Sequence, residues 1–459
     1  MFEIDFNSPI KVHFVGIGGI SMSGLAEILA DADFTVTGSD RAPSELTKGL
    51  EEKGIKVYYG QKEENIGEDT KLVVYTAAIK EDNPEYSRSK ELGIEMLTRA
   101  ELLGQIMKNY ETPIAVSGTH GKTTTTSMLT QVLLNAQTDP TVSVGGMLKA
   151  IGGNIRIGHT GMFITEACEY TNSFLSFFPK ISIILNIDED HLDFFKDIND
   201  IRASFKKFAD LLPEDGLLVI NADIDDYEEI TKDCKAKVLT VSVDKNADYT
   251  AKNISYNESG CGVFTAVDKE GNETSLKLSV PGKHNISNAL SALAVAKFLN
   301  ISDEIIKSGF CDFDGTDRRF QYKGKIGGVT IIDDYAHHPT EIMATLEAAQ
   351  NHPHKKLWLA FQPHTYTRTK ALYDDFVRVL SKADEVILAD IYAAREKDTL
   401  GVSSKQLAED INNNGTKANY FGSFDEIEKF ILENCNDGDL LITMGAGDIV
   451  KVGENLLGR

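Results

Sequence analysis

The stretch Thr112-Pro-Ile-Ala-Val-Ser-Gly-Thr-His-Gly-Lys-Thr-Thr-Thr-Thr-Ser127 limits the possible folds more than any other. It reads as a buried strand, a glycine loop and the first turn of a helix. Gly118 and Gly121 let the backbone come close to an anion, and the helix starting near Lys122 aims its unpaired N–H groups at the same place with about half a unit of positive charge. Lys122 adds a full charge for the β/γ-phosphates of a nucleotide, and Thr123 offers a hydroxyl where Mg²⁺ would sit. The usual phosphate loop has a glycine where this chain has Val116, so the match is to a shorter variant. Four β-branched threonines are a poor helix start on propensity alone, so phosphate binding accounts for them better than a packing turn does.

The chain before this loop alternates strand and helix. Residues 11–16 lead into Gly16-Ile-Gly-Gly-Ile-Ser-Met-Ser-Gly24, an apolar helix follows from Leu25 to Ala30, and a second strand at 34–38 ends at Ser39-Asp40. This is a βαβ opening of Rossmann type, with an acidic residue at the distance of a ribose contact. Ser21 stands where the third glycine of the dinucleotide pattern belongs, so the loop suits a diphosphate without requiring a nicotinamide. A packing turn, or a sugar-nucleotide dehydrogenase built on this unit, are the competing readings. Strands at 56–59 and 71–76 continue the pattern, and the first domain is expected to span 1–108.

The second domain, 109–322, carries buried strands at 162–167 and 180–187. They end in Glu166 and in Asp188-Glu-Asp-His-Leu-Asp193. In open α/β sheets ligands lie beyond the carboxyl ends of the strands, which places Glu166 and His191 near Thr123 as possible Mg²⁺ ligands. A strand-end surface acid and a solvated histidine are the bland alternatives, and the flanking acids read as the charged lip of the loop. Residues 216–280 read as mixed strands without site chemistry. Asn285 and Asn288, one helical turn apart, suit either purine recognition or capping. Asp317-Arg-Arg-Phe320 supplies two cations, one of which could meet the transferred phosphoryl group.

The third domain, 323–459, repeats strands that end in polar loops at Asp333-Asp334-Tyr335, Gln362, Asp390 and Met444. Its cluster of His337, His338, His364, Arg368 and Arg395 suits recognition of a carboxylate and deprotonation of an amine. The expected fold is therefore α/β in three domains: Rossmann-like, a central P-loop ATPase type with a mixed sheet, and Rossmann-like again.

Against 70 acidic side chains there are 47 basic ones, a net charge of −23, which argues against nucleic-acid or anionic-membrane partners. The five cysteines, at 168, 234, 261, 311 and 435, lack C-x-x-C spacing and fit reduced thiols. The N-terminal residues have neither a basic n-region nor an apolar h-region, so the expected location is cytoplasmic.

Taken together, the chain resembles the Mur ligase family. The resemblance rests on the glycine loop at 16–24, Gly118-Thr-His-Gly-Lys-Thr-Thr124, Glu166-Ala-Cys-Glu169, Asn186-Ile-x-x-Asp-His-Leu-Asp193 and His284-Asn-x-x-Asn288. It extends through Asp317-Arg-Arg-Phe320, Asp333-Asp-Tyr-Ala-His-His-Pro-Thr-Glu341 and Gln362-Pro-His-x-Tyr-x-Arg368, essentially the whole chain. It implies an ATP- and Mg²⁺-dependent ligase that joins L-alanine to UDP-N-acetylmuramate through an acyl phosphate, in peptidoglycan precursor synthesis, as a monomer or homodimer. A peptide-recycling ligase of the same family is the nearest alternative. The implied nucleotide contacts are Gly118, Thr119, His120, Gly121, Lys122, Thr123, Thr124, His284, Asn285, Asn288 and Arg319, with Thr123, Glu166 and His191 around the metal. Gly16, Gly18, Gly19, Ser39 and Asp40 would hold the UDP-sugar. Tyr335, His337 and Arg368 would face the amino acid and the muramyl carboxylate, and Lys122, His191, His337 and Arg368 would carry the catalysis.

Overall fold

A computed structural model describes every residue except Met1, Ala77 and Arg395, so the expectation placed on Arg395 lies outside the described residues. Three sheets organise the chain. The first is wholly parallel, in the order Lys56–Tyr59, Thr35–Asp40, Lys11–Val15, Leu72–Tyr75, Glu95–Thr98. The helix after its glycine loop runs from Ile20 to Asp31, starting well before the expected Leu25. Its start, Ile20-Ser-Met-Ser-Gly24, alternates apolar residues with serine and ends in glycine, which hid the helical period, although Met22, Ser23 and Gly24 are buried. A side chain at Gly24 would collide with Ile155 of the central lobe, so only glycine lets the two lobes pack this closely.

The central sheet has ten strands and is mixed. The phosphate strand Thr112–Ser117 lies between Ile181–Ile184 and Met162–Ala167, parallel to both. Its centre is buried on both faces, as helix-covered parallel strands require. Residues 217–281 extend the sheet with two more parallel strands and then an antiparallel meander. The helix Lys122–Asn135 packs on Asp303–Asp312, where a side chain at Gly309 would stand 2.7 Å from the Val132 Cα.

In the third sheet Val329–Asp334, Leu440–Met444, Leu357–Phe361, Glu385–Leu388 and Lys417–Tyr420 are parallel, with Gln321–Ile326 antiparallel at the edge. The lobes are joined in two different ways. One hydrophobic cluster runs without a break from Phe14 of the first sheet and Leu25 of the helix beside it to Phe174, Phe205 and Phe208 of the central lobe. The clusters of the third sheet draw only on residues from 320 onward. The C-terminal lobe meets the central one chiefly through polar side chains, the kind of junction across which domains move.

Candidate active site

The phosphate loop is set by its backbone. Gly118 and Gly121 have φ of +137° and +82°, and Gly121 is the N-cap of the helix Lys122–Asn135 with no side chain capping it. The helix's leading N–H groups therefore stay available to an anion. Asn186 clamps the loop twice, its Oδ1 accepting from the His120 N–H at 2.7 Å and its Nδ2 donating to the His120 carbonyl at 3.0 Å.

Lys122 donates to the Gly118 carbonyl at 2.5 Å, the Thr119 carbonyl at 2.9 Å and Glu169 Oε2 at 3.2 Å. Burial opposes its charge, but Glu169, Cys168 and Glu166 together outweigh burial and hold the ammonium above its ordinary range. Thr123 donates to Glu166 Oε2 at 3.0 Å, and Glu166 Oε1 accepts from the Gly145 N–H. A hydroxyl and a carboxylate at the helix start are hard oxygen donors of the kind Mg²⁺ takes. Nearby, Glu169 Oε1 is buried without a hydrogen-bond partner among the described residues, an acceptor suited to a cation or its water. These residues fit the metal.

His191 is not joined to them by any hydrogen bond among the described residues. Its ring stacks on Tyr170 at 4.5 Å, its Nε2 lies 3.8 Å from Asp190 Oδ2, and its φ of +54° is held by its own N–H donating to Asp190 Oδ1. Two of the acids read as the charged lip of the loop do more than line it. Asp190 is only 8% exposed and accepts from Arg368 Nε and Nη2 at 3.0 and 2.9 Å, while Asp188 accepts from the Thr340 hydroxyl at 2.6 Å. Both partners belong to the C-terminal lobe.

A cavity of about 260 Å³ opens between these two lobes. His120, Gly121, Thr124, His284, Asn285, Asn288 and Arg319 all line it, beside Glu341 and Phe320. His284 is open to the cavity but enclosed by its walls. That enclosure, with Arg319 nearby, holds its ring down to about 4 and so neutral. Asn285 and Asn288 are turned largely toward the helix. Asn285 Nδ2 donates to the Pro281 carbonyl, and Asn288 Nδ2 donates to Asn285 Oδ1.

Of the two adjacent arginines, Arg318 is spent on the C-terminal sheet through Asp333 and the Gly445 carbonyl, and Arg319 faces the cavity. The Tyr335 ring lies against both guanidinium groups, 4.9 and 5.2 Å from its centre, which makes it a support for Arg319.

His337 Nδ1 lies 2.9 Å from the Tyr335 carbonyl, which can only accept. The proton therefore sits on Nδ1, and Nε2 keeps its lone pair. Burial, assisted by Arg368 and opposed by Glu341, holds this imidazole down to about 4, so it is neutral at pH 7. Arg368 Nη1 donates to His364 Nδ1 at 3.0 Å, and the His364 ring stands 5.7 Å from that of His337.

In the first lobe the Gly16 and Ile17 N–H groups donate to the Ser39 carbonyl, and Gly18 donates to Asp40 Oδ2 at 2.8 Å. Gly19 caps the helix Ile20–Asp31 without a side-chain bond, leaving a second anion-ready terminus. The Ser39 hydroxyl, expected at the ligand, is instead fully buried and donates to Glu85 at 2.5 Å. Even spacing along a buried strand points that side chain into the sheet layer, so its carbonyl, not its hydroxyl, shapes the loop.

Glu169, Asn186, Asp190 and Glu341 were missed as individual site residues. Each falls inside a motif already noted, so their nearness to Lys122, His191 and His337 was the available signal.

Three family profiles cover most of the chain: "Mur ligase family, catalytic domain" at residues 11–111, "Mur ligase middle domain" at 116–296 and "Mur ligase, glutamate ligase domain" at 318–447. A protein of Agathobacter rectalis named UDP-N-acetylmuramate--L-alanine ligase is 60% identical over 457 residues, covering 100% of each chain. The crystal structure of UDP-N-acetylmuramate-alanine ligase from Thermotoga maritima superposes with a TM-score of 0.81 at 29% identity, covering 98% of this chain and 99% of that one. A murein peptide ligase from Psychrobacter arcticus follows at 0.70 and 26%, covering 98% of each chain. With the phosphate loop, the interlobe cavity and these full-length likenesses in agreement, the chain belongs to the Mur ligase family.

Proposed function

We propose that this protein is an ATP-dependent ligase that joins the amine of L-alanine to the lactyl carboxylate of UDP-N-acetylmuramate through an acyl phosphate, releasing ADP and phosphate. The reaction is a step in building peptidoglycan precursors, carried out in the cytoplasm. The full-length likeness to the Agathobacter rectalis protein supports the choice of substrates. The observation that carries the mechanism is the interlobe cavity, where Arg319 faces His120 and Gly121 of the phosphate loop, while Asp188 and Asp190 bond across the same junction to Thr340 and Arg368.

In this reading lobe 1–108 holds the UDP portion on Gly16, Gly18 and Gly19, lobe 109–322 binds ATP, and lobe 323–459 admits the amino acid. A carboxylate resists phosphorylation because both partners are anions, so the cations that meet there do most of the work. Lys122 leaves its loop carbonyls for the phosphates, and Arg319, held by Tyr335, faces the transferred group. Thr123, Glu166 and His191 would hold magnesium, which would supply positive charge to offset the phosphate oxygens. Arg368 orients the amino-acid carboxylate, and Nε2 of His337 takes the proton that the attacking amine must lose. Closure of the C-terminal lobe keeps water from the activated acid.

No helix among the described residues is long and apolar enough to cross a membrane. The Rossmann-type opening no longer argues for a dehydrogenase, because the family match accounts for its glycine loop. ADP formation with each substrate omitted in turn tests the proposal. Turnover is expected only with ATP, the muramyl nucleotide and L-alanine together. Turnover with a short peptide in place of L-alanine would point to the recycling reaction.

A further inference from the structure

His120, Asp188 and His338 bring two imidazoles and a carboxylate together where the central and C-terminal lobes meet. One ring nitrogen of each histidine and one carboxylate oxygen lie within 4.8 Å of one another. His120 Nε2 is 3.2 Å and His338 Nδ1 3.8 Å from Asp188 Oδ2. Ligands at roughly 2.0–2.1 Å from a tetrahedral ion stand about 3.3 Å apart, so the His120–Asp188 spacing already fits and the His338 ring moves inward to complete the set.

The outer nitrogens are also placed as a metal site places them. His338 Nε2 lies 3.0 Å from the Glu189 carbonyl, an acceptor, so its proton is there and the Nδ1 lone pair points inward. That lone pair accepts the Thr340 N–H at 3.3 Å, capping the helix Pro339–Gln350, and a metal ion would take the place of this bond. His120 Nδ1 lies 3.3 Å from Glu341 Oε1. A carbonyl behind one imidazole and a carboxylate behind the other is the usual support for zinc-bound histidines. The Thr340 hydroxyl fixes Asp188 Oδ2 at 2.6 Å.

We infer that His120, Asp188 and His338 form a binding site for a divalent transition-metal ion such as Zn²⁺, separate from the oxygen pair of Thr123 and Glu166. Two imidazoles and one carboxylate favour zinc over magnesium, which prefers oxygen alone. Because His120 and Asp188 come from the central lobe and His338 from the C-terminal lobe, the ion is a cross-link between lobes joined mainly by polar contacts. On binding it displaces the proton that His120 holds between Asp188 and Glu341, and that proton leaves to solvent. With the lobes pinned and the phosphate loop tied through His120, turnover stops.

The test titrates Co²⁺, as a coloured substitute for Zn²⁺, into the metal-free full-length protein and follows its visible d–d bands. Thermal melting verifies the fold of each variant. One equivalent is expected to give the intense bands of a low-coordinate site, to be displaced by Zn²⁺ and to be unaffected by excess Mg²⁺. His338→Ala and the isosteric Asp188→Asn are each expected to weaken binding at least about tenfold, and Glu166→Gln to leave it unchanged. Zn²⁺ should inhibit wild-type turnover with a midpoint that follows its occupancy. The proposal is overturned if no stoichiometric site appears, if Glu166→Gln weakens it in place of His338→Ala and Asp188→Asn, or if added Mg²⁺ relieves the inhibition.

Discussion

Arg368 lays its Nε and Nη2 on a single oxygen of Asp190, at 3.0 and 2.9 Å, across the gap between the C-terminal and central lobes. Both side chains are nearly buried, at 10% and 8% exposure, and the same oxygen accepts the N–H of the strained His191. The pair therefore ties a residue proposed to face the amino acid to the peptide that sets the His191 ring. Removing either partner leaves a buried charge alone, at a cost of about 3–5 kcal/mol.

Asp190→Asn is therefore expected to raise KM for L-alanine and lower kcat, for a combined loss of about 10²-fold in kcat/KM, with KM for ATP changed much less. Steady-state kinetics with each substrate varied in turn will check this. A KM for L-alanine like that of the wild type would show that the pair does not position Arg368.

Lys122→Ala is expected to abolish measurable turnover in a folded protein. It also leaves Glu169, which is 2% exposed, without its cation, so chemical denaturation should show a loss of about 3 kcal/mol. The double variant Lys122→Ala, Glu169→Gln should regain much of that stability and none of the activity. If stability were not regained, Glu169 would not be the partner that matters.

Much of this site was legible in the sequence because its pieces are local. Gly118, Gly121, Lys122 and Thr123 sit within one loop and turn, where spacing alone dictates geometry, and the apolar strands around them read as a parallel sheet. What the sequence could not show was pairing across lobes. Asp190 and Arg368 are 178 residues apart, and no periodicity links them, so Asp188 and Asp190 read as the charged lip of the loop. Ser39 misled for a different reason: its position beside Asp40 suggested a ligand contact, but alternation along the strand turns its hydroxyl toward Glu85.

Gly121→Ala should be damaging although it adds one methyl group. At φ of +82° any side chain is strained, and the new carbon would stand 2.8 Å from Asn288 Oδ1. The expected effect is about 1–2 kcal/mol of lost stability and at least about tenfold weaker nucleotide binding, measured by unfolding and by titration with a non-hydrolysable ATP analogue. Unchanged nucleotide affinity would place the phosphates elsewhere.

Burial, with His337 and Arg368 alongside, holds His364 down to about 4 and so keeps its ring neutral. An unfolded chain takes up that proton near pH 6.5. Between about pH 6.5 and 4 the unfolded state is thus favoured progressively as pH falls, and above about 6.5 the ring contributes nothing. His364→Gln should reduce the acid loss of stability by about 1 kcal/mol, allowing for solvent near the ring. Urea unfolding at about pH 7 and pH 4.5 will measure it, and identical losses in both proteins would contradict it.

The central claim is that cations gathered between the lobes let one anion phosphorylate another before the amine attacks. Turnover with ¹⁸O in both carboxylate oxygens of the muramyl group tests this most directly, with mass spectrometry of the released phosphate. The predicted result is one labelled oxygen in each phosphate and the other retained in the new amide. Phosphate free of label, from a reaction that still forms the amide, would contradict it.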